Sequence, residues 1–177
     1  TYICVSYYTV LENMQTSNRN LLTIYGKEIE NKLENADMLL ERLIYKNNDY
    51  DMLQSEKVSE RYYASIEIKK FIQEQITYDQ YVDAVVIGDS TYGSCMDYEN
   101  SDMAYQERED LRQYALERAK DGSAKAEWMI VRIGLQNYVS KMYVWQGRSA
   151  GIFISVDHFM DNVTKKNLQK IFILLKD

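Results

Sequence analysis

Between residues 9 and 46 the apolar positions Leu22, Tyr25, Ile29, Leu33, Ala36, Leu40 and Leu43 follow one another in steps of three and four, with Asn and charged residues between them. That is a one-sided helical stripe with coiled-coil-like spacing. Gly26 is its only glycine and no proline interrupts it. The pattern predicts one helix of roughly 35 residues, near 50 Å long at about 1.5 Å per residue. Such a helix lies along its own domain, pairs with a second copy, or does both. The polar stretch KNNDYDMLQSEK, 46–57, reads as a connection. Val58, Tyr62, Ile66, Ile72 and Ile76 then return at helical spacing and predict a second helix over 58–77.

Near residue 81 the period changes. Short apolar or alternating runs follow at 81–88, about 92–96, 126–133, 136–146 and 149–156, punctuated by Gly134-Leu135 and Gly147. A helical stretch, roughly 103–120, separates the second run from the third. The order is helix, helix, strand, strand, helix, strand, strand, strand. The last three strands have very short connections and are expected to form an antiparallel meander. The fold class is therefore α+β rather than a doubly wound sheet. Beyond Val156, DHFMDNVTKKN reads as a short helix and KIFILLKD as one further strand, cut off where a turn should follow. Residues 1–80 thus form the helical part, 81–165 the sheet module and 166–177 the start of another strand, all within one domain.

Composition changes this picture in three places. The complete lack of proline among 177 residues favours long uninterrupted helices. With 46% hydrophobic residues the chain can bury a core, and its net charge of −6 argues against a nucleic-acid partner. Sixteen tyrosines suit a core edge or a polar pocket, because the ring packs while the hydroxyl still bonds. Cys4 and Cys95 could make one bridge, but two cysteines supply neither a disulfide framework nor a metal cluster. No apolar run reaches the roughly 20 residues that span a bilayer. The opening TYICVSYYTV fits either the stub of a membrane helix or an ordinary helix start.

Candidate chemistry begins at VVIGDS, 85–90. A strand delivering Gly88-Asp89-Ser90 resembles the opening block of the GDS-type esterases, in which the serine is the nucleophile. That family also requires Asp-x-x-His. The single histidine, His158, has Ser155 three positions before it and Asp157 beside it. The oxyanion blocks are also missing, Gly134-Leu135-Gln136-Asn137 having the wrong spacing. Esterase activity is not expected, and Ser90 is read as part of a hairpin turn. The acids Asp97, Glu99, Asp102, Glu107, Glu109 and Asp110 lack the glycine and register of a calcium loop and are read as a solvated helix start. No nucleotide-binding glycine loop is present, and no cofactor is expected.

The layout as a whole resembles the extracytoplasmic Cache-type sensor domain, a PAS-like module, of bacterial membrane histidine kinases. The matching segments are the long leading helix LLTIYGKEIENKLENADMLLERLIY, the two-strand opening VDAVVIGDSTYGSCM, the Trp-led strand AEWMIVRIG, the long strand NYVSKMYVWQG and the closing strand GIFISVDHF. The resemblance implies a long N-terminal helix packed on a PAS-like antiparallel sheet, a location outside the cytoplasm, and membrane attachment through flanking segments. It implies a ligand-sensing domain of a transmembrane signalling receptor, a two-component histidine kinase, with no kinase chemistry in this fragment. The expected partners are a small polar organic molecule and a second copy through the N-terminal helix.

Strand alternation puts Trp128, Ile130 and Arg132 on one side of their strand, and Val139, Lys141, Tyr143 and Trp145 on one side of the next. Trp128, Arg132 and Tyr143 are expected to face one cleft on the sheet side away from the leading helix. Arg132 would hold a carboxylate; Asp157 would hold an amine, or only cap the helix that follows. Two alternatives stand beside this reading: a structural or dimerisation ectodomain without ligand, and the esterase using Ser90.

Overall fold

The computed structural model describes residues 2–76, 81–99, 103–122 and 126–157. Three helices lead: α1 (Tyr2–Tyr45), α2 (Asn48–Met52) and α3 (Val58–Ile76). The hairpin β1 (Ala84–Asp89) and β2 (Ser94–Glu99) follows, then α4 (Tyr105–Asp121), then the meander β3 (Met129–Ile133), β4 (Gln136–Trp145) and β5 (Arg148–Ser155). The strands form a single antiparallel sheet in the order β2-β1-β5-β4-β3. The fold is α+β, as the alternation of periods predicts.

Each turn has a local cause. Gln146 (φ 50°) and Gly147 (φ 77°) both adopt left-handed backbone in the two-residue loop between β4 and β5, the geometry of a type I′ turn that matches strand twist. Between β1 and β2, Asp89 Oδ1 accepts from the backbone N–H of Thr91 and of Tyr92. This side-chain turn consumes residues that the apolar pattern assigns to the second strand, so β2 starts at Ser94 rather than near 92. The stretch 46–57 is more than a polar connection. Asn47 Oδ1 accepts from Asp49 N at 2.9 Å and caps the single helical turn of α2.

The sheet is covered on both faces. On one, Ala36, Leu39, Leu40 and Leu43 of α1 and Ile68, Ile72 and Ile76 of α3 pack over Val85, Ile87, Ala150, Ile152 and Ile154. On the other, Leu111 and Ala115 of α4 lie over Ala84, Val86, Tyr138, Met142 and Phe153. The Phe153 ring meets those of Tyr114 and Tyr138 edge-on, with centroids 6.1 and 5.9 Å away. Tyr138 donates its hydroxyl to Glu107, anchoring the first turn of α4.

The long stripe of α1 is divided by this packing. Its C-terminal half, Ala36 to Leu43, is buried in the chain's own core, while Leu22 is 70% exposed. Leu40 and Leu43 therefore cannot lie in a seam between two copies. In α3 the buried residues are Ala64, Ile68, Ile72 and Ile76, one every fourth position. Val58, Tyr62 and Ile66 form a second, exposed stripe on the same helix.

Candidate functional site

The Gly-Asp-Ser block is occupied by structural roles. A Cβ on Gly88 would stand 2.9 Å from the backbone carbon and oxygen of Ala115, so the glycine lets α4 lie against the sheet. Asp89 shapes the turn. Ser90 binds the neighbouring turn twice: its N–H and its hydroxyl both donate to Gly147 O, at 2.8 and 2.9 Å. His158 lies outside the described residues.

The acids of 97–110 are knitted to the helix that follows them. Arg108 reaches Asp97 and Glu99; Arg112 reaches Asp97 and Glu109 and donates to Cys95 O. Asp102 is outside the described residues. No group of three or more ligating side chains able to hold a metal ion occurs among the described residues. Cys95 carries a free thiol, pushed up to about 12 by burial, which outweighs the nearby Arg112.

The proposed cleft of Trp128, Arg132 and Tyr143 is on the opposite side from that expected. Register places Ile130 beside Val139, and Tyr143 beside Ala150, which faces α1 and α3. Trp128 and Tyr143 accordingly pack against the core built with α1. The alternation holds, but α1 covers this face rather than the other, and α4 fills the other with apolar side chains. Arg132 is exposed near the end of β3, the edge strand, and Asp157 is exposed just beyond β5. Neither is among the residues that line the cavity at Tyr143, which is walled by Tyr45, Tyr50, Trp145 and Arg148.

Tyr143 does belong to a cavity, built from other partners. Across the sheet end beneath α2, Asp89 pairs in register with Arg148, and Arg148 with Trp145. The Arg148 side chain is 6% exposed. Its guanidinium lies 4.5 Å from the Tyr50 ring centroid, and Nη1 donates to Tyr50 O at 2.5 Å. Among the described residues its only ion-pair partner is the Asp51 carboxylate, 3.3 Å from Nη2 and itself 77% exposed, and Nε is buried without a partner.

Beside Arg148 opens a cavity of about 400 Å³ walled by Tyr45, Tyr50, Tyr143 and Trp145. The Tyr45 and Tyr143 rings meet edge-on at 6.3 Å. The Tyr143 hydroxyl donates to Asp37 at 3.3 Å, and Lys141 Nζ donates to the same carboxylate at 2.6 Å, which ties β4 to α1 and fixes that wall. Burial raises the Tyr50 phenol to about 12, although Arg148 pulls it down. It is therefore a neutral hydrogen-bonding group at physiological pH.

The sequence pattern predicts an aromatic floor with Arg132 as its guanidinium; in the structure the guanidinium beside such a floor is that of Arg148. Arg148 follows a Gln-Gly turn and reads as a turn-flanking charge. Only α2, invisible to periodicity at five residues, makes it buried.

A second recess, about 600 Å³, lies between α3 and the β1–β2 hairpin, with Asp89 lining it. The chain matches no model of a known protein family, and no curated protein matches it.

Proposed function

We propose that the chain is the extracytoplasmic ligand-sensing domain of a transmembrane signalling receptor of the Cache-bearing histidine-kinase kind, and that Arg148 receives the anionic group of a small organic ligand. The observation that carries this reading is a buried cation in an aromatic cavity whose one ion-pair partner among the described residues is a solvent-exposed carboxylate. A buried charge demands a close counter-charge, whereas an exposed pair contributes little. The planar fork of arginine suits a ligand carboxylate, and a cavity of this size lies in the range of small-molecule sites, about 300–1,000 Å³. A ligand carboxylate would replace Asp51 on Nη2 and remove that one tie between α2 and the sheet, while Nη1 stays on Tyr50 O. Since α2 joins α1 to α3, occupancy becomes a change in the helical layer. The order of elements, which is the one expected from the sensor resemblance, supports the same reading.

A thermal-shift screen of mono- and dicarboxylates, including α-keto and aromatic acids, tests it. A stabilising acid whose effect disappears in Arg148→Met and is strengthened in Asp51→Asn is the expected result. Stabilisation that persists in Arg148→Met removes the site from the proposal.

Dimerisation through α1 is part of the same proposal, confined to its N-terminal part. Leu22 and Ile24 are exposed there, at 70% and 46%, while the stripe beyond Leu33 is used internally. No described helix is long and apolar enough to cross a membrane.

A further inference from the structure

We infer that the recess between α3 and the β1–β2 hairpin is a second ligand site, for a neutral polyhydroxylated molecule of the monosaccharide or short-oligosaccharide kind. The recess is separate from the Arg148 cavity and does not depend on the function proposed for it.

Three observations meet there. The first is the exposed stripe Val58, Tyr62 and Ile66 on α3, which the core does not use and which faces Tyr92 of the hairpin across the recess. Four apolar side chains left 42–70% exposed around one concavity mark a surface that gains by being covered. The second is Asp89. It is 4% exposed and lines the recess, and while Oδ1 is used by the turn, Oδ2 is buried with no hydrogen-bond partner. An unmatched buried acceptor costs free energy that a ligand donor restores. The third is Arg61. It donates Nη1 to the carbonyls of Ser55 and Glu56, lies 4.0 Å over the Tyr92 ring, and lines the recess.

Charge selects the ligand class. Arg112 on this wall is already paired with Asp97, 3.6 Å away. Arg61 remains against Asp89, and Lys69 is solvated at the rim. A ligand carrying a full charge of either sign would bring its like-charged neighbour at Asp89 or Arg61 into conflict. A neutral ligand meets no such conflict. Hydroxyl groups both donate, to Asp89, and accept, from Arg61, while the C–H face of a sugar ring lies flat on an aromatic side chain such as Tyr92 or Tyr62. The volume of about 600 Å³ is inside the range of small-molecule sites.

The test is saturation-transfer NMR on the whole chain with glucose, galactose, mannose, xylose and maltose, beside glucuronate and galacturonate. At least one neutral sugar should receive saturation. Its affinity should fall about tenfold or more in Tyr92→Ala and in Ile66→Trp, which fills the recess, and should be unchanged in Arg148→Met. Both groove positions are exposed, so neither variant is expected to unfold the chain. The proposal is overturned by transfer to no neutral sugar, by binding that survives both groove variants, or by binding of the uronates alone.

Discussion

Replacing Gly88 by alanine probes the contact that organises the second face of the sheet. Nothing in the backbone forbids the change, because Gly88 is not among the glycines with left-handed φ. The obstacle is space. The new Cβ would stand 2.9 Å from Ala115 C, 2.9 Å from Ala115 O and 2.9 Å from Ser149 Oγ. Two of these atoms belong to the α4 backbone and cannot rotate aside. The third is held by its own bond, since Ser149 Oγ donates to Ala115 O at 2.7 Å. The methyl therefore pushes α4 off the sheet and stretches that buried hydrogen bond, loosening the stripe Leu111, Ala115 and Ala119.

Overpacking of this kind costs typically 1–3 kcal/mol. Loss of glycine from the unfolded chain returns about 0.4–1 kcal/mol. The net expectation is a destabilisation of about 1–2 kcal/mol, or about 2–8 °C in Tm for a chain of this length. Urea unfolding should show a lower midpoint at unchanged slope. Gly26→Ala is the control, because no atom lies within 4 Å of a Cβ built there. In a helix interior it should stabilise by up to about 1 kcal/mol. A Gly88→Ala protein as stable as the parent would refute the close docking of α4, and with it the explanation of why glycine begins the Gly-Asp-Ser block.

Two further outcomes are expected. Tyr50 and Cys95 are both raised to about 12, from ordinary values of 10.0 and 9.0, chiefly by burial. The unfolded chain then loses these protons before the folded one does, so their contribution to stability is intact below about pH 9 and disappears as pH climbs to 12. Unfolding midpoints should fall across that window, with Cys95 unreactive to a thiol reagent at pH 8; rapid native-state labelling at pH 8 would contradict the burial. On the proposed sensor reading, cysteines placed singly along α1 of the full-length protein should cross-link between copies at exposed positions around Leu22 and not at Ala36, Leu40 or Leu43; a seam continuing through Leu43 would contradict the packing of α1.

The sequence discloses periodic elements far better than it discloses sides. The first helix, expected at roughly 35 residues and running to 44, the 19-residue α3 and the strand meander are visible in period, because many residues vote on each; the extra turns before residue 9 carry no such stripe. Which sheet face a long helix covers is decided by strand order and connection geometry, and these leave no trace in a stripe such as Leu33 to Leu43. That single ambiguity moved Trp128 and Tyr143 from an imagined cleft into the core beside α1. The same limit hid the second stripe of α3: Val58, Tyr62 and Ile66 look like core until Ala64 and Ile68 are seen to take that role. Alanine carries too little hydrophobic weight to have signalled the choice.

The site itself depends on residues that sequence treats as punctuation. Asp89 and Arg148 flank turns, where charge is ordinary, yet both are buried, Arg148 against Tyr50 of α2 and Asp89 in the wall of the recess beside α3. A buried charge at such a place is costly unless something matches it. In this chain Asp89 retains an unmatched buried oxygen and Arg148 an unmatched buried nitrogen among the described residues, and the two residues line different cavities. A purely structural ectodomain has no need of either. Removing both charges by Asp89→Asn with Arg148→Met therefore separates the readings: a scaffold keeps its signalling output as long as it stays folded, whereas a sensor loses its response to ligand while its helical content is unchanged.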